Sequence, residues 1–533
     1  MSEQNENNSK PKTTIESSLL HTPRRWTRRD IVVLKFGGTT VGATQDEGRI
    51  RIARETIAGL IEDRKYVVPV FSAFRRGRSQ SADKISMTDI LQSFGERIHN
   101  ARDFEAEFDK FKKQVRDIHF RLIIELGLMD DDRLAEKVER ELELINSTAL
   151  VCCRAFENVP SLNDTIITGG ERLAVTILAG YLSKKHQEGK FPMPCEPVTG
   201  LELGIYTDDN FGSANILWNR AVENSREVIF GKYLEQGIIP IVSGFDGVHD
   251  PQDNFKPILQ SPRGTDLARL NHKFYRTSLG RGGSDLTATF LGMALDAEYV
   301  GFCKETCGVL TADDKLVGDA ARTIETLNYE LATEAGNIYS RAVEPVRASG
   351  VPVHIFDPSR PEKRSIISDC HLNEGIYIVE RPVKTVNIRV GSIPDEPGSL
   401  NEFLGVFAKH GVNVEEVYHQ RSGTDCIIDG SNKDIDAALE SLKSNGLNVV
   451  SQFSWYIRAV GNISEQLVNE FNQFMSWYEP LSLSTFQVGS NVLTATIARN
   501  RAGDQDEEVK RVEEIILELH DQLICQKFEV VTS

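Results

Sequence analysis

Two stretches carry residue types suited to handling a transferring phosphate. The first is "VLKFGGTTVG", residues Val33 to Gly42, where Lys35 closes an apolar run and Gly37, Gly38, Thr39 and Thr40 follow. Glycines let backbone amides come close to an anion, amides at a following helix start point at it, and the lysine adds a point charge. The second is "LGRGGSDLTATFLG", Leu279 to Gly292, with Arg281, Gly282, Gly283, Ser284 and Asp285 at the mouth of a helix-like run. Gly282 and Gly283 allow the same approach, Ser284 reads as an N-cap and Asp285 falls in the first turn. An acidic residue there would hold nearby lysines by charge pairing. Arg281 can grip a carboxylate in two-pronged fashion. Taken singly, each stretch also reads as a tight turn or a capped helix with incidental charges.

Three other chemistries are excluded by spacing. G-x-G-x-x-G needs a glycine where Asp285 stands, so the dinucleotide fingerprint is broken. The chain has no G-x4-G-K-[ST], hence no P-loop of that type, and no H-R-D or D-F-G set of the protein-kinase type.

These residues must be positioned by the elements around them. "IVVLKF" from Ile31, "YVVPVFSAF" from Tyr66 and "IIPIV" from Ile238 are short apolar runs closed by turn residues. They read as buried strands, and the long amphipathic stretches between them, such as Phe104 to Leu128 and Ala174 to Leu182, read as helices. That alternation predicts an α/β domain with a mainly parallel central sheet covered by helices, over residues 29–382. From Val383 the order becomes strand, helix, strand, strand, helix, strand, and then repeats. Two α+β units of βαββαβ type are expected, at 383–453 and 454–533, interleaved through the C-terminal strand.

Composition sets the outer limits. Of 533 residues, 40% are hydrophobic and 26% charged, as in a globular protein of several domains. The formal net charge of -17 argues against a nucleic-acid-binding surface. The eight cysteines show no metal-like pairing and read as reduced thiols of an intracellular, cytoplasmic protein. No run of 18 apolar residues suggests a membrane span. Residues 1–28 are polar, lack a signal-peptide core and are expected to be a disordered tail.

Six motifs taken in order carry a family resemblance: "VLKFGGTTVG", "TGGERLAVTILAGYL", "VSGFDG", "LGRGGSDLTATFLG", "GVLTADDKLV" and "RAVEPVRASGVPV". Together they resemble the aspartate kinases, and the units after Val383 resemble that family's paired ACT domains. The resemblance implies an amino-acid-kinase fold and the use of ATP, with Mg2+ carried by the nucleotide rather than by a protein metal site. It also implies phosphorylation of the side-chain carboxylate of L-aspartate. A carboxylate is already ionised at neutral pH, so the reaction needs no general base; it needs positioning and charge neutralisation. The family pattern then gives Lys35 the phosphoryl group, Gly37 and Gly38 amides toward it, and Asp285 the orientation of the lysines. Gly282 and Gly283 fall to the phosphates. Glu171 and Arg281 recognise the ammonium and carboxylate of aspartate, with Thr39, Ser72 and Ser284 lining the same site. Lys304, Glu305, Asp313 and Lys315 fall on the nucleotide side.

The departures are specific. The family's "TDVDG" is here "KETCG", Lys304 to Gly308, and its "GAKVLHP" is here "EAGNIYS", Glu334 to Ser340. Without gaps, Gly336 falls where the family sets a phosphate-contacting lysine; either that charge is lost or Lys304 or Lys315 supplies it. The loop after Ser72, "FRRGRSQSADKISMTD", is longer and more basic than the family's. "KET" with "GGSDLTATF" resembles the ectoine-pathway type. In the tail, Pro397, Gly398, Ser399, Asn413 and Val414 match the loop and strand where ACT units take an amino-acid effector, lysine or threonine, and the tail would join two or more copies. An amino-acid kinase of altered substrate and a catalytically weak ACT-based sensor are the alternatives.

Overall fold

The computed structural model describes residues 30–41, 48–76, 85–100, 103–155, 159–251, 274–391, 393, 396–420, 423–431, 434–478, 483–488, 491–498 and 505–525. The expected tail 1–28 and the final strand "QKFEVVT" lie outside these residues. Eight strands form the first sheet: β1 (Ile31–Phe36), β2 (Tyr66–Phe71), β3 (Cys195–Val198), β4 (Ile239–Ser243), β5 (Tyr299–Cys303), β6 (Thr326–Asn328), β7 (Val353–Phe356) and β8 (Arg364–Ser368). Their order is β6-β8-β7-β5-β1-β2-β4-β3. Every neighbouring pair is parallel except β7 with β8. Parallel strands need crossovers, and the helices that supply them cover both faces. That is why β2 and β4 are buried along their whole length and read as unbroken apolar runs.

β1 lies in the middle of this sheet. Lys35 stands opposite Val70 on β2 and Phe302 on β5, so the ends of three strands open beside it. The helix Gly283–Leu295 is buried nearly all round, with Phe290, Leu291 and Leu295 in the main core. It stops at Asp296, a non-glycine residue in the left-handed region with φ 54°.

The tail forms one antiparallel sheet from β9 (Gly375–Val379), β10 (Val383–Val390), β11 (Val414–Gln420), β12 (Gly423–Asp429), β13 (Val449–Asn462), β14 (Leu483–Val488) and β15 (Val492–Ala498). The order is β11-β12-β10-β13-β15-β14. β13 spans both units. Its first half pairs with β10, up to Tyr456 opposite Val383, and its second half pairs with β15 and with β9. β13 therefore runs across the expected boundary at 453/454 without a break. β9, on the catalytic side of the boundary expected at 382, hydrogen-bonds into the tail's sheet. Each half has its own core, one around Val386, Ile388, Phe403 and Phe407, the other around Trp455, Ile457, Phe471 and Ile516.

The cysteines Cys152, Cys195, Cys303, Cys307, Cys370 and Cys426 are free thiols. Among the described residues no helix is long and apolar enough to cross a membrane.

Candidate functional site

The candidate site lies at the carboxyl ends of β1, β2, β4 and β5, where open parallel sheets bind ligands. Lys35 Nζ is 2.7 Å from Asp285 Oδ1, in the first turn of the Gly283–Leu295 helix. The strand end and the helix start, 250 residues apart, thus meet as an ion pair. Lys304 follows directly on β5. Its Nζ donates to the Asn337 carbonyl at 2.8 Å. Burial pulls its ammonium below the usual value, Asp285 opposes that fall and Lys35 adds to it. Lys304 is thus within electrostatic reach of both members of the ion pair. Lys315 is exposed on a short helix capped by Asp313.

The glycines are required by contact. A Cβ on Gly38 would stand 2.5 Å from the Ala73 carbonyl oxygen, and one on Gly282 would stand 2.4 Å from the Tyr339 ring. Gly282 has φ 73° and occupies the cap position of the helix. Ser284, expected as the N-cap, instead lies inside the first turn, packed against Gly244, and no side-chain cap forms. The glycine takes the cap because it adopts this left-handed backbone without steric cost and because a side chain there would strike the Tyr339 ring.

Glu171 stands in the first turn of the Gly169–Gln187 helix and is 3% exposed. Its Oε1 accepts the Ala73 amide at 3.2 Å, while its buried Oε2 has no hydrogen-bond partner among the described residues. Burial pushes its carboxyl up to about 8. A buried carboxyl with one free oxygen becomes a receptor for a cation when it ionises against one. The Ser72 amide donates to the Phe36 carbonyl at 3.2 Å, joining the end of β2 to the Gly37 turn, and Thr39 lies in the first turn after it.

Arg281 is exposed. Its guanidinium lies over the Tyr339 ring and its Nε donates to Tyr339 Oη at 3.4 Å. That bond holds its charge, with a further contribution from Glu415 of the tail. Glu305 is exposed and 3.5 Å from Arg49. Asp313 pairs with Arg381 at 3.7 Å, and Arg381 also reaches Glu513 on the C-terminal helix Gln505–His520. Gly336 has φ 64° and ends the Tyr329–Glu334 helix, its amide bonding to the Thr333 carbonyl. The position the ungapped match gave to a lysine is therefore a helix stop that favours glycine. In the tail, Gly398 (φ 98°) precedes the Ser399–Lys409 helix beside exposed Pro397, and Val414 opens β11. Asn413 already donates to Glu415 at 2.7 Å.

Several positioning residues escape a reading of motifs. Phe245 has φ 80°, is held by a hydrogen bond from its amide to Thr287 Oγ1, and packs on Gly283. Asp164 accepts the amides of Gly212 and Ser278 at 3.0 and 2.7 Å. Asp246 is fully buried and accepts the Gly200 amide and the Ser243 hydroxyl. Arg341 donates to the Leu279 and Ala214 carbonyls, fixing the loop that carries Arg281. "SGFDG" and "RAVEP" flagged the neighbourhoods of Asp246 and Arg341, but their partners are distant in sequence.

The Amino acid kinase family matches residues 30–357, and the ACT domain matches 386–446. Among curated proteins, Aspartokinase 3, chloroplastic, of Arabidopsis thaliana is 24% identical over 450 residues, covering 81% of this chain and 72% of its own. An Aspartokinase of Bacillus sp. (strain MGA3) is 24% identical over 364 residues, covering 66% and 80%. Among solved structures, E. coli aspartokinase III in complex with lysine and aspartate aligns with TM-score 0.68 at 21% identity, covering 93% of this chain and 100% of that one. The same enzyme in complex with aspartate and ADP aligns at TM-score 0.66 and 20% identity, covering 92% and 99%.

Proposed function

Because the chain belongs to the amino acid kinase family, we propose that it is a kinase that transfers the γ-phosphoryl group of ATP to the side-chain carboxylate of L-aspartate. The products are 4-phospho-L-aspartate and ADP. The observation that carries this reading is the Lys35–Asp285 pair at the carboxyl end of β1, set beside Gly37 and Gly38 and close to the half-satisfied, buried Glu171. The names of the curated relatives and the aspartate and ADP held by the structural neighbours support the same substrates.

In this mechanism the acceptor is aspartate's ionised side chain, and one of its oxygens attacks the γ-phosphorus while the bond to the β-phosphate breaks. No proton has to move. Glu171 holds the ammonium of aspartate through its free oxygen, and Arg281 its α-carboxylate, after leaving the Tyr339 ring. Ser72, Thr39 and Ser284 line the acceptor. Lys35 draws the developing charge on the phosphoryl oxygens, and Asp285 fixes the lysine's direction. Gly37 and Gly38 give backbone amides to the phosphoryl group, and Gly282 and Gly283, at the start of the facing helix, fall to the phosphates. Lys304 supplies the second cation, which Gly336 does not. Glu305, Asp313 and Lys315 belong to the nucleotide side. Mg2+ would come bound to the phosphates of ATP. The tail would receive lysine or threonine at Pro397, Gly398, Ser399, Asn413 and Val414, and join two copies.

The test is ADP release measured over aspartate, glutamate and other amino acids, repeated with lysine and threonine. Aspartate should be preferred, and at least one of the two effectors should lower its rate. Activity on another acceptor with none on aspartate would overturn the substrate. Lys304→Ala should lower kcat about tenfold or more, as expected for a well-placed charged donor; an unchanged kcat would remove Lys304 from the reaction.

A further inference from the structure

Arg75 belongs to the basic loop after β2 that departs from the family pattern. Its Cβ lies 2.9 Å from where a Cβ on Gly38 would stand. Its Nε is buried and has no hydrogen-bond partner among the described residues. The backbone at Arg75 is fixed by antiparallel pairing with Ser86, and Met87 donates to the Phe74 carbonyl one residue earlier. The loop is therefore tied at the point where it meets the glycine pair. A buried polar atom of a guanidinium left without an acceptor is unusual, because its desolvation is not repaid within the protein.

The same short segment touches the other unsatisfied group of the site. Ala73 donates its amide to Glu171 and sets its carbonyl oxygen against Gly38. Two residues on, Arg75 is beside Gly38. One free buried carboxylate oxygen and one free buried guanidinium nitrogen thus flank the stretch Ser72 to Arg75. The first suits an ammonium. The second suits an oxyanion, and the anion that the glycine turn admits is a phosphate.

We propose that Arg75 binds the γ-phosphate of ATP beside Gly38, as a further cation facing the phosphoryl group that Lys35 draws from β1. Arginine suits this place better than lysine, since its fork reaches two oxygens of one phosphate. The inference rests on the reading of the site as an ATP-dependent kinase, but it does not depend on the acceptor.

The experiment is calorimetric binding of ATP and of ADP, each with Mg2+ and without any acceptor, to the full chain and to Arg75→Ala, Arg75→Gln and Arg75→Lys. Arg75→Ala should weaken ATP binding about tenfold or more, the expected effect of a hydrogen bond to a charged group, and leave ADP binding within about twofold. Arg75→Lys should recover part of the loss. Unchanged ATP binding, or equal losses for ATP and ADP, overturns the proposal. A raised KM for the amino-acid acceptor with the ATP preference intact would place Arg75 on the acceptor's α-carboxylate and also overturn it. Melting curves identify any variant that fails to fold, and the Lys and Gln variants then carry the comparison. A chain that prefers ATP through Arg75 yet does not phosphorylate aspartate would sink the aspartate reading and leave this one standing; one that binds neither nucleotide sinks both.

Discussion

The two large sheets among the described residues handle charge in opposite ways. In the catalytic sheet the strands run parallel and both faces are covered by helices. Apolar side chains fill both sides of β1, β2 and β4, and polar groups are left to the strand ends. Lys35, Ser72 and Lys304 stand there together. In the tail the sheet is antiparallel, and one face packs on its helices through Trp455, Ile457 and Ala459. The alternate residues of β13 face the other way, so Tyr456 bonds to Glu416 while Arg458 pairs with Glu334 and Glu380. Charge at the strand ends is gathered in one place, beside the Gly37–Gly38 turn. On the tail's other face Arg458 joins the tail to Glu334 of the preceding domain, while Tyr456 and Glu416 bond within the tail's own sheet.

The largest expected effect breaks the first arrangement. Lys35→Ala should lower kcat by about a hundredfold or more, near 3 kcal/mol of transition-state stabilisation. The fold should survive, because Lys35 is partly exposed and its loss opens no apolar cavity. Circular dichroism should match the wild type while ADP release collapses. A variant with near-normal kcat would mean that the strand-end charges are structural, and the contrast with the tail would vanish.

The next effect sharpens the contrast through pH. The Glu171 carboxyl is pushed up to about 8 by burial, so in the ligand-free fold it stays protonated where the unfolded chain, with an ordinary carboxyl, has lost the proton. Its contribution to stability is complete below the unfolded value near 4.5 and is lost as pH rises through about 8. Glu171→Gln should remove that part of the decline, so its melting temperature should fall less between pH 5 and 8 than that of the wild type. Aspartate needs the ionised form to hold its ammonium. Its affinity for the wild type should rise with pH up to about 8, by at most about tenfold per unit, with a proton released on binding. A flat affinity profile in the wild type would take Glu171 away from the substrate.

How much of this could be read in the sequence depends on whether a feature is local. β1, β2 and β4 were legible because a strand buried on both faces is a continuous apolar run ended by a turn. The Lys35–Asp285 pair was legible because each residue sits at a fixed offset from a glycine pair, and charge complementarity joins the two. Ser284 as a cap was misplaced because the cap here is set by the backbone of Gly282, and serine is merely the nearest residue with a capping side chain. Gly336 read as a missing lysine, whereas its φ of 64° makes it a helix stop. Tyr339 against Gly282, Asp164 beneath Ser278 and the passage of β13 through both tail units join segments far apart in the chain. No local spacing encodes such pairings, since they follow from the way the sheets close.

The smallest effects test where the two sheets meet. The hairpin Val309–Leu310 with Thr323–Ile324 leads into the segment that holds Asp313. It touches the tail at several points. Val379 on β9 donates to the Thr311 carbonyl, Thr311 Oγ1 shares a buried 2.9 Å hydrogen bond with His520 Nε2, and Arg381 bridges Asp313 and Glu513. Thr311 Oγ1 also accepts the Arg322 amide at 3.0 Å, so Thr311→Val removes two bonds at a buried position. It should cost about 1–3 kcal/mol in chemical denaturation. Arg381→Ala removes contacts of a half-exposed side chain, screened by water, and should cost less than about 1 kcal/mol. If the segment serves only to glue the modules, the changes in KM for ATP should follow those stability losses. If it transmits the state of the tail to the nucleotide side, Arg381→Ala should shift that KM, and its response to an effector, by about twofold to fivefold while stability barely moves. We expect the second result, because the proposed function puts Asp313 on the nucleotide side while its partner Arg381 also pairs with Glu513 of the helix Gln505–His520. An Arg381→Ala enzyme with unaltered KM and effector response would show that the tail's charges end at the interface.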